Sequence, residues 1–426
     1  MAATATAALT TTASADPAHG NGSHAATEAA MEAQVKNAGV PGILGQVQDK
    51  NGTWNASAGV ADLQSRRPRL PQDRFRVGSI SKAFTSVVLL QLEAEGKLRL
   101  DDTVEHHLPG VVQGHGHDGN KITVRQLLNH TSGVFNYTED PTVHAWISTG
   151  FPEHRYDTHT PKELVAAAMR HQPSFAPGQG WHYSNTNYIL AGMIVEKVTG
   201  HPYASEIDRR VLRPLGLRST TLPGSSVRMP SPHGRAYSKL FSEAPDAKIY
   251  DVTELNPSWG WAAGEIISTT GDLNRFYRAL LRGDLLPRHQ QQELLTTVPT
   301  GDAIPGGRYG LGVMAVKLSC DKTVWMHSGG IHGSTSLATS TADGRHTSAF
   351  NFNDDWAADL DGLVQAEYCG TAKPPLAAGP PRPWKRSPNS ADAPAHRSFR
   401  RGPHTRTRAG RTHACGARGV RAVTGG

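Results

Sequence analysis

The chain has 426 residues, enough for one large domain or two smaller ones, yet only 37% of them are hydrophobic. Its formal charge of +7 misleads, because Thr371 to Gly426 holds 12 Lys+Arg and one Asp, leaving 32 basic and 36 acidic residues for the rest. The body is mildly acidic, so charge gives it no call on nucleic acid, and no apolar run of about 18 residues is present to cross a membrane.

Residues 1–26 are Ala/Thr-rich, with a small-x-small pattern at Ala13-Ser14-Ala15. A positive n-region and a long apolar stretch are missing, so this reads as the end of an export signal with its start lost, and the expected location is secreted or extracytoplasmic. A helix is expected from about 27 to 38, stopped at Gly39-Val40-Pro41. GILGQVQD and TWNASAGVAD then alternate as two strands about Lys50-Asn51-Gly52, a hairpin signal. Next comes a strongly apolar helix opening at Ser79 and closed by Gly96, and later a short one in ITVRQLLNHTSGV. LAGMIVEKVTG and ASEIDRRVLRPLGL are the clearest helices between 111 and 255. After a turn and helix in GEIISTTGDLNRFYRALLRGDLL come three strand-like runs, YGLGVMAVKL, KTVWMHSGG and SLATSTADGRHTSAFNF, and a last helix to Cys369. Strands at both ends with helices between them give an α+β fold of the α/β sandwich type. Its antiparallel sheet (27–110 and 256–370) is flanked by helices, and a second, mostly helical lobe spans 111–255. The Pro/Arg/Gly/Ala-rich segment 371–426 has too little apolar periodicity to fold and is expected to be a disordered basic tail.

Three polar clusters interrupt this pattern. Ser79 and Lys82 stand one helical turn apart where the apolar helix begins, and an amine buried there loses its charge readily. A neutral amine beside a serine is a general base for it. Ser-x-x-Lys by itself is expected about once by chance in a chain this long, and Ser319-Cys320-Asp321-Lys322 is a second match in a strand-to-turn context. YSNTNY follows a Pro/Gly loop; Tyr183 and Asn185, two apart, face the same way in an extended segment, although Ser184 and Asn185 are also ordinary N-cap residues. In WMHSGGIHG, Gly329-Gly330 permits close backbone approach beside His327.

Taken in order, Ser79-Ile80-Ser81-Lys82, Tyr183-Ser184-Asn185 and His327-Ser328-Gly329 resemble the penicillin-recognising serine hydrolases. The resemblance is to their class C β-lactamase-like group, and within it to secreted D-alanyl-D-alanine carboxypeptidases. It runs from about 27 to 370 and includes ITVRQLLNHTSGV, Trp259–Gly264 and YGLG. It implies that Ser79 is the nucleophile, Lys82 its base and Tyr183 the proton relay. Asn185, Trp259, His327, Ser328 and Gly329 would bind substrate, His327 through positive or hydrogen-bonding character where a lysine is more usual. The backbone N–H groups of Ser79 and Gly330 would form an oxyanion hole, and Cys320 with Cys369 a disulfide. The activity the resemblance implies is that of a D-alanyl-D-alanine carboxypeptidase on cell-wall peptides, working through an acyl-enzyme, with an esterase or β-lactamase on the same scaffold as the alternative. The substrate would be a small peptide, ester or β-lactam, handled by a monomer without metal or other cofactor. Carboxypeptidases of this group carry an arginine where Met314 stands here, and Lys317 falls on the opposite face of the strand. Glycine follows Gly329 in place of a hydroxyl residue. Both departures weaken carboxylate recognition and imply a drift toward esters, amides or β-lactams. A non-catalytic penicillin binder is the rival from another class. His106-His107 and His115-Gly116-His117 fall in a loop without paired cysteines or carboxylates at ligand spacing, so solvated histidines are expected there rather than zinc.

Overall fold

The structure, a computed structural model, describes residues 24–371 apart from 243 and 245. The export-signal reading before residue 24, the tail after 371 and Cys415 lie outside the described residues.

Alternation of side chains builds the sheet. Helix α1 (Ala25–Ala38) ends at Gly39 in the left-handed region, φ 72°. Strands β1 (Gly42–Asp49) and β2 (Gly52–Gly59) pair in register down to Asp49 opposite Gly52, so Lys50-Asn51 is the two-residue turn. Six later strands complete one antiparallel sheet: β3 (Val298–Pro299), β4 (Gly307–Tyr309), β5 (Met314–Lys317), β6 (Thr323–Ile331), β7 (Ser334–Thr341) and β8 (Thr347–Phe352), in the spatial order β2-β1-β8-β7-β6-β5-β4-β3. Ile43, Val47, Phe350 and Phe352 share one face with Met31 of α1 and with Leu363 and Tyr368 of the last helix, Leu360–Cys369. Gly45 lies on that face because a Cβ there would come within 2.8 Å of the Phe350 ring. Leu44 and Ala349 belong to the opposite face, over which the helix Thr270–Arg282 packs.

Helix α2 (Ser81–Ala94) lies inside the protein, with Ile80, Ala83, Phe84, Val87, Val88, Leu89, Leu90 and Leu92 fully excluded from solvent. Phe84 stacks on Phe276 of Thr270–Arg282 at 3.7 Å between ring centroids, and α2 also packs against α3 (Asn185–Thr199). Ser79 is not the first residue of the α-helix. It sits in a 3₁₀ turn, Gly78–Ile80, ahead of it.

Two of the expected strand runs divide. YGLGVMAVKL folds back as β4 and β5, and SLATSTADGRHTSAFNF becomes β7 and β8 about Asp343-Gly344, with Gly344 at φ 66°. In the segment expected to be mostly helical, the described helices end at Leu215. Beyond them are loops and a two-residue ladder of Tyr237–Ser238 with Tyr250–Asp251.

Cys320 and Cys369 are joined, with Cα atoms 5.7 Å apart and a sequence separation of 49. Closing a loop of that length stabilises the folded chain by up to about 4 kcal/mol through the unfolded state. Reduction, or Cys369→Ser, is therefore expected to lower the urea midpoint. An unchanged midpoint would show that this closure contributes nothing.

Candidate active site

The turn Gly78–Ile80 is pressed against β6. Gly78 has φ 53°, and a Cβ on it would meet the backbone of Gly330 at 2.8 Å. A Cβ on Gly329 would overlap the Val77 carbonyl oxygen at 1.9 Å and lie 3.0 Å from the Ser79 nitrogen. Glycine is thus required on both sides for β6 to approach the serine turn. The contact sets the backbone of the serine turn directly against that of Gly329-Gly330.

Lys82 is fully buried, and its Nζ has three neighbours: Ser79 Oγ at 3.0 Å, Asn185 Oδ1 at 2.8 Å and the Ala263 carbonyl oxygen at 2.8 Å. Burial drives its pKa well below 10.5, and no carboxylate among the described residues offsets this. A neutral amine has two N–H bonds and one lone pair. Asn185 Oδ1 and the Ala263 carbonyl can only accept, so they take both N–H bonds and leave the lone pair facing the Ser79 hydroxyl. That is the arrangement in which the amine can remove the hydroxyl proton.

Asn185 begins α3, and its backbone N–H donates to Asn136 Oδ1 at 3.0 Å. Ser184 occupies the N-cap position, but its side chain makes no cap bond. Tyr183 is half-buried, with its ring centroid 4.8 Å from Lys82 Nζ. Burial raises the Tyr183 pKa, and the nearby Ser79 hydroxyl opposes this more weakly. Tyr183 and Asn185 thus both lie beside the Lys82 amine.

His327 is buried and neutral, its pKa lowered to about 3 by burial and by Lys82. Its Nδ1 lies 2.5 Å from the Ser328 carbonyl, which can only accept, so the proton is on Nδ1. Nε2 then accepts from the Tyr309 hydroxyl at 2.9 Å. Of the two characters expected of His327, positive charge is absent. Ser328 is half-exposed. The Trp259 indole packs edge-on to Trp146 and His332 at 6.4 and 5.7 Å, while its carbonyl accepts from the Tyr137 hydroxyl. Met314 is buried in the sheet, and Lys317 is exposed and paired with Asp321 at 2.9 Å. In the second Ser-x-x-Lys match the Lys322 amine donates to the Tyr368 carbonyl, and Ser319 to Gln365, well apart from this cluster in role.

Sequence reasoning missed several participants. The Ala263 carbonyl has no side-chain signature. Tyr309 was visible only as part of YGLG, and His130, fully buried against the Tyr183 ring at 4.3 Å, only as part of NHTSG. The expectation that the paired histidines lack a neighbouring carboxylate is corrected. The Asp102, His106 and His107 ligand atoms lie within 4.8 Å of one another, because the single turn Val104–His107 brings His107 Nε2 to 3.1 Å from Asp102.

A buried serine–lysine pair, a tyrosine and an asparagine beside it, and a glycine-lined strand edge define a serine hydrolase of the penicillin-recognising class. The family model described as Beta-lactamase matches residues 27–354, and the chain belongs to that family. It is 28% identical over 327 residues to penicillin-binding protein 4* of Bacillus subtilis (strain 168), covering 71% of this chain and 68% of that one. It spans 60% and 43% of the lengths of two further curated relatives. A D-stereospecific amidohydrolase from Streptomyces sp. superposes with a TM-score of 0.78 at 55% identity, over 82% of this chain and 99% of that chain. D-amino acid amidase from Ochrobactrum anthropi SV3 gives 0.68 at 27% identity, over 80% and 95%. No described helix is long and apolar enough to cross a membrane.

Two outcomes follow from the site's geometry. Gly329→Ala should cost about 2–3 kcal/mol of stability, read by urea denaturation, and suppress acylation, because β6 must retreat from the serine turn. Activity should be present at neutral pH and fall as pH drops through the lowered Lys82 pKa, where the amine gains a proton and can no longer accept one. A kcat/KM profile whose acid limb lies near pH 10.5 would contradict this assignment of Lys82.

Proposed function

We propose that this serine hydrolase cleaves D-amino-acyl amides, and esters of the same acids, through an acyl-enzyme on Ser79. The observation that carries the choice of leaving group is the neutrality of the site. Lys82, His130 and His327 are all held uncharged by burial, and Tyr183 and Tyr309 remain protonated phenols. A peptide ending in a carboxylate would bring its charge up to Lys82, His130 and His327, none of them a cation to meet it, at a cost of several kcal/mol. Ammonia, an amine or an alcohol leaves without that cost. The D configuration of the acyl group is inferred from the likeness to the Streptomyces amidohydrolase and the Ochrobactrum amidase, both named for D-specificity.

In this reading Ser79 Oγ attacks the carbonyl carbon while its proton passes to Lys82 Nζ. The N–H groups of Ser79 and Gly330 hold the oxyanion, each worth about 3 kcal/mol. Asn185 and Ser328 orient the substrate. As the tetrahedral intermediate collapses, Tyr183 gives its proton to the departing nitrogen and is reprotonated from Lys82. Water then attacks the acyl-enzyme, its proton returning through the same pair, and the free acid leaves. Every group comes from one chain, so a monomer suffices. The bridge between Cys320 and Cys369 suits an oxidising, extracytoplasmic location.

The test compares one D-acyl group presented as amide, methyl ester and D-alanyl peptide with a free carboxylate. Amide and ester should exceed the peptide acid in kcat/KM by about tenfold or more, L-enantiomers should be poor substrates, and Ser79→Ala should be inactive on all. Release of D-alanine from acyl-D-Ala-D-Ala as fast as amide hydrolysis, or as readily as by Met314→Arg, would instead favour the carboxypeptidase. Penicillin labelling at Ser79 without release or amide turnover would favour a non-catalytic binder.

A further inference from the structure

We propose that His130 is a positioning residue for Tyr183, acting by gripping the main chain on both sides of it. The His130 carbonyl accepts the His182 N–H at 3.1 Å, and its Nδ1 accepts the Ser184 N–H at 3.2 Å. Tyr183 is thus bracketed between two bonds to one residue, while its ring lies 4.3 Å from the imidazole at a 36° tilt. The hold extends into α3, where Asn187 Nδ2 donates to the same Nδ1 at 3.1 Å and Asn187 Oδ1 accepts from Ser132 Oγ at 2.7 Å. This inference rests on the reading of Tyr183 as the group that protonates the leaving nitrogen.

The chemistry of the ring separates positioning from proton transfer. Two N–H donors converge on Nδ1, so Nδ1 is bare and the proton is on Nε2. A second proton on the ring would face both donors, and burial first, then the nearness of Lys82, His327 and His182, disfavours it. Nε2 is buried without a hydrogen-bond partner among the described residues, in a shell formed by the rings of Trp181, Tyr188 and Tyr309 at 5.9, 5.5 and 4.9 Å. The ring is therefore not bonded to Ser79, Lys82 or the Tyr183 phenol. Its backbone is at φ 63°, a left-handed conformation that costs a histidine about 1–2 kcal/mol. Such strain persists where surrounding bonds fix it, and here the bonds are those to residues 182–187.

Side-chain geometry supplies the test. In His130→Asn, Oδ1 can take the place of Nδ1, and asparagine tolerates the left-handed backbone. His130→Phe keeps a ring but removes the acceptor. Acylation is measured in single turnover on a D-acyl amide, whose nitrogen needs a proton to leave, and on the p-nitrophenyl ester of the same acid, whose leaving group does not. His130→Phe should slow amide acylation about 100-fold and ester acylation by less than about fivefold, and His130→Asn should recover most of the amide rate. If His130→Phe does not accumulate folded, His130→Gln, whose acceptor lies at the Nε2 side, carries the same expectation. Equal losses on both substrates, or an asparagine variant no better than the phenylalanine, overturn the proposal. Tyr183→Phe is run in parallel. If it shows no amide bias, the reading of Tyr183 falls and this inference with it. If it shows the bias and the acceptor-less His130 variant does not, this inference alone falls.

Discussion

An uncharged lysine amine with its lone pair turned toward a serine hydroxyl is the constraint on which the rest of this structure depends. Burial alone removes the charge but does not aim the lone pair. Aim comes from two fixed acceptors, the Asn185 side chain and the Ala263 carbonyl, which occupy both N–H bonds. Each acceptor belongs to a different part of the chain, so helix α2, the start of α3 and the segment after Trp261 must all meet at one atom. The burial of α2 from Ser81 to Leu90 accords with this, since a wet face there could not keep Lys82 dry.

The same burial shapes the chemistry of the cleft. Histidines 130 and 327 are neutral for the reason Lys82 is, burial, and the nearness of Lys82 lowers both of their pKa values further. In the proposed reading, activation of the serine at neutral pH and the preference for neutral leaving groups are two consequences of one dry environment.

Much of the frame was legible from local chemistry. The Lys50-Asn51 hairpin, the glycine stops after residues 38, 94 and 199, and the Thr270–Arg282 helix lie where alternation, capping and positive φ place them. The run from Ser336 to Phe352 was read as one strand because small and apolar residues continue through its turn. The reversal is marked only by Asp343-Gly344. Asp102 escaped notice as a neighbour of His106 and His107 because a single helical turn, not sequence spacing, brings them together. Ser79, Lys82, Tyr183, Asn185 and the 327–330 stretch were legible as motifs, and their convergence was an expectation carried by resemblance.

What the sequence determined by itself was therefore the kind of residue at each position and its local conformation. These depend on neighbours three or four places away and on side-chain chemistry. Only the tertiary structure decided which lone pair faces which proton, that His327 is neutral, and that a main-chain carbonyl and His130 belong to the site. Those are matters of distance and dielectric between segments as far apart in the chain as Lys82 and His327, and nothing local in the chain encodes them.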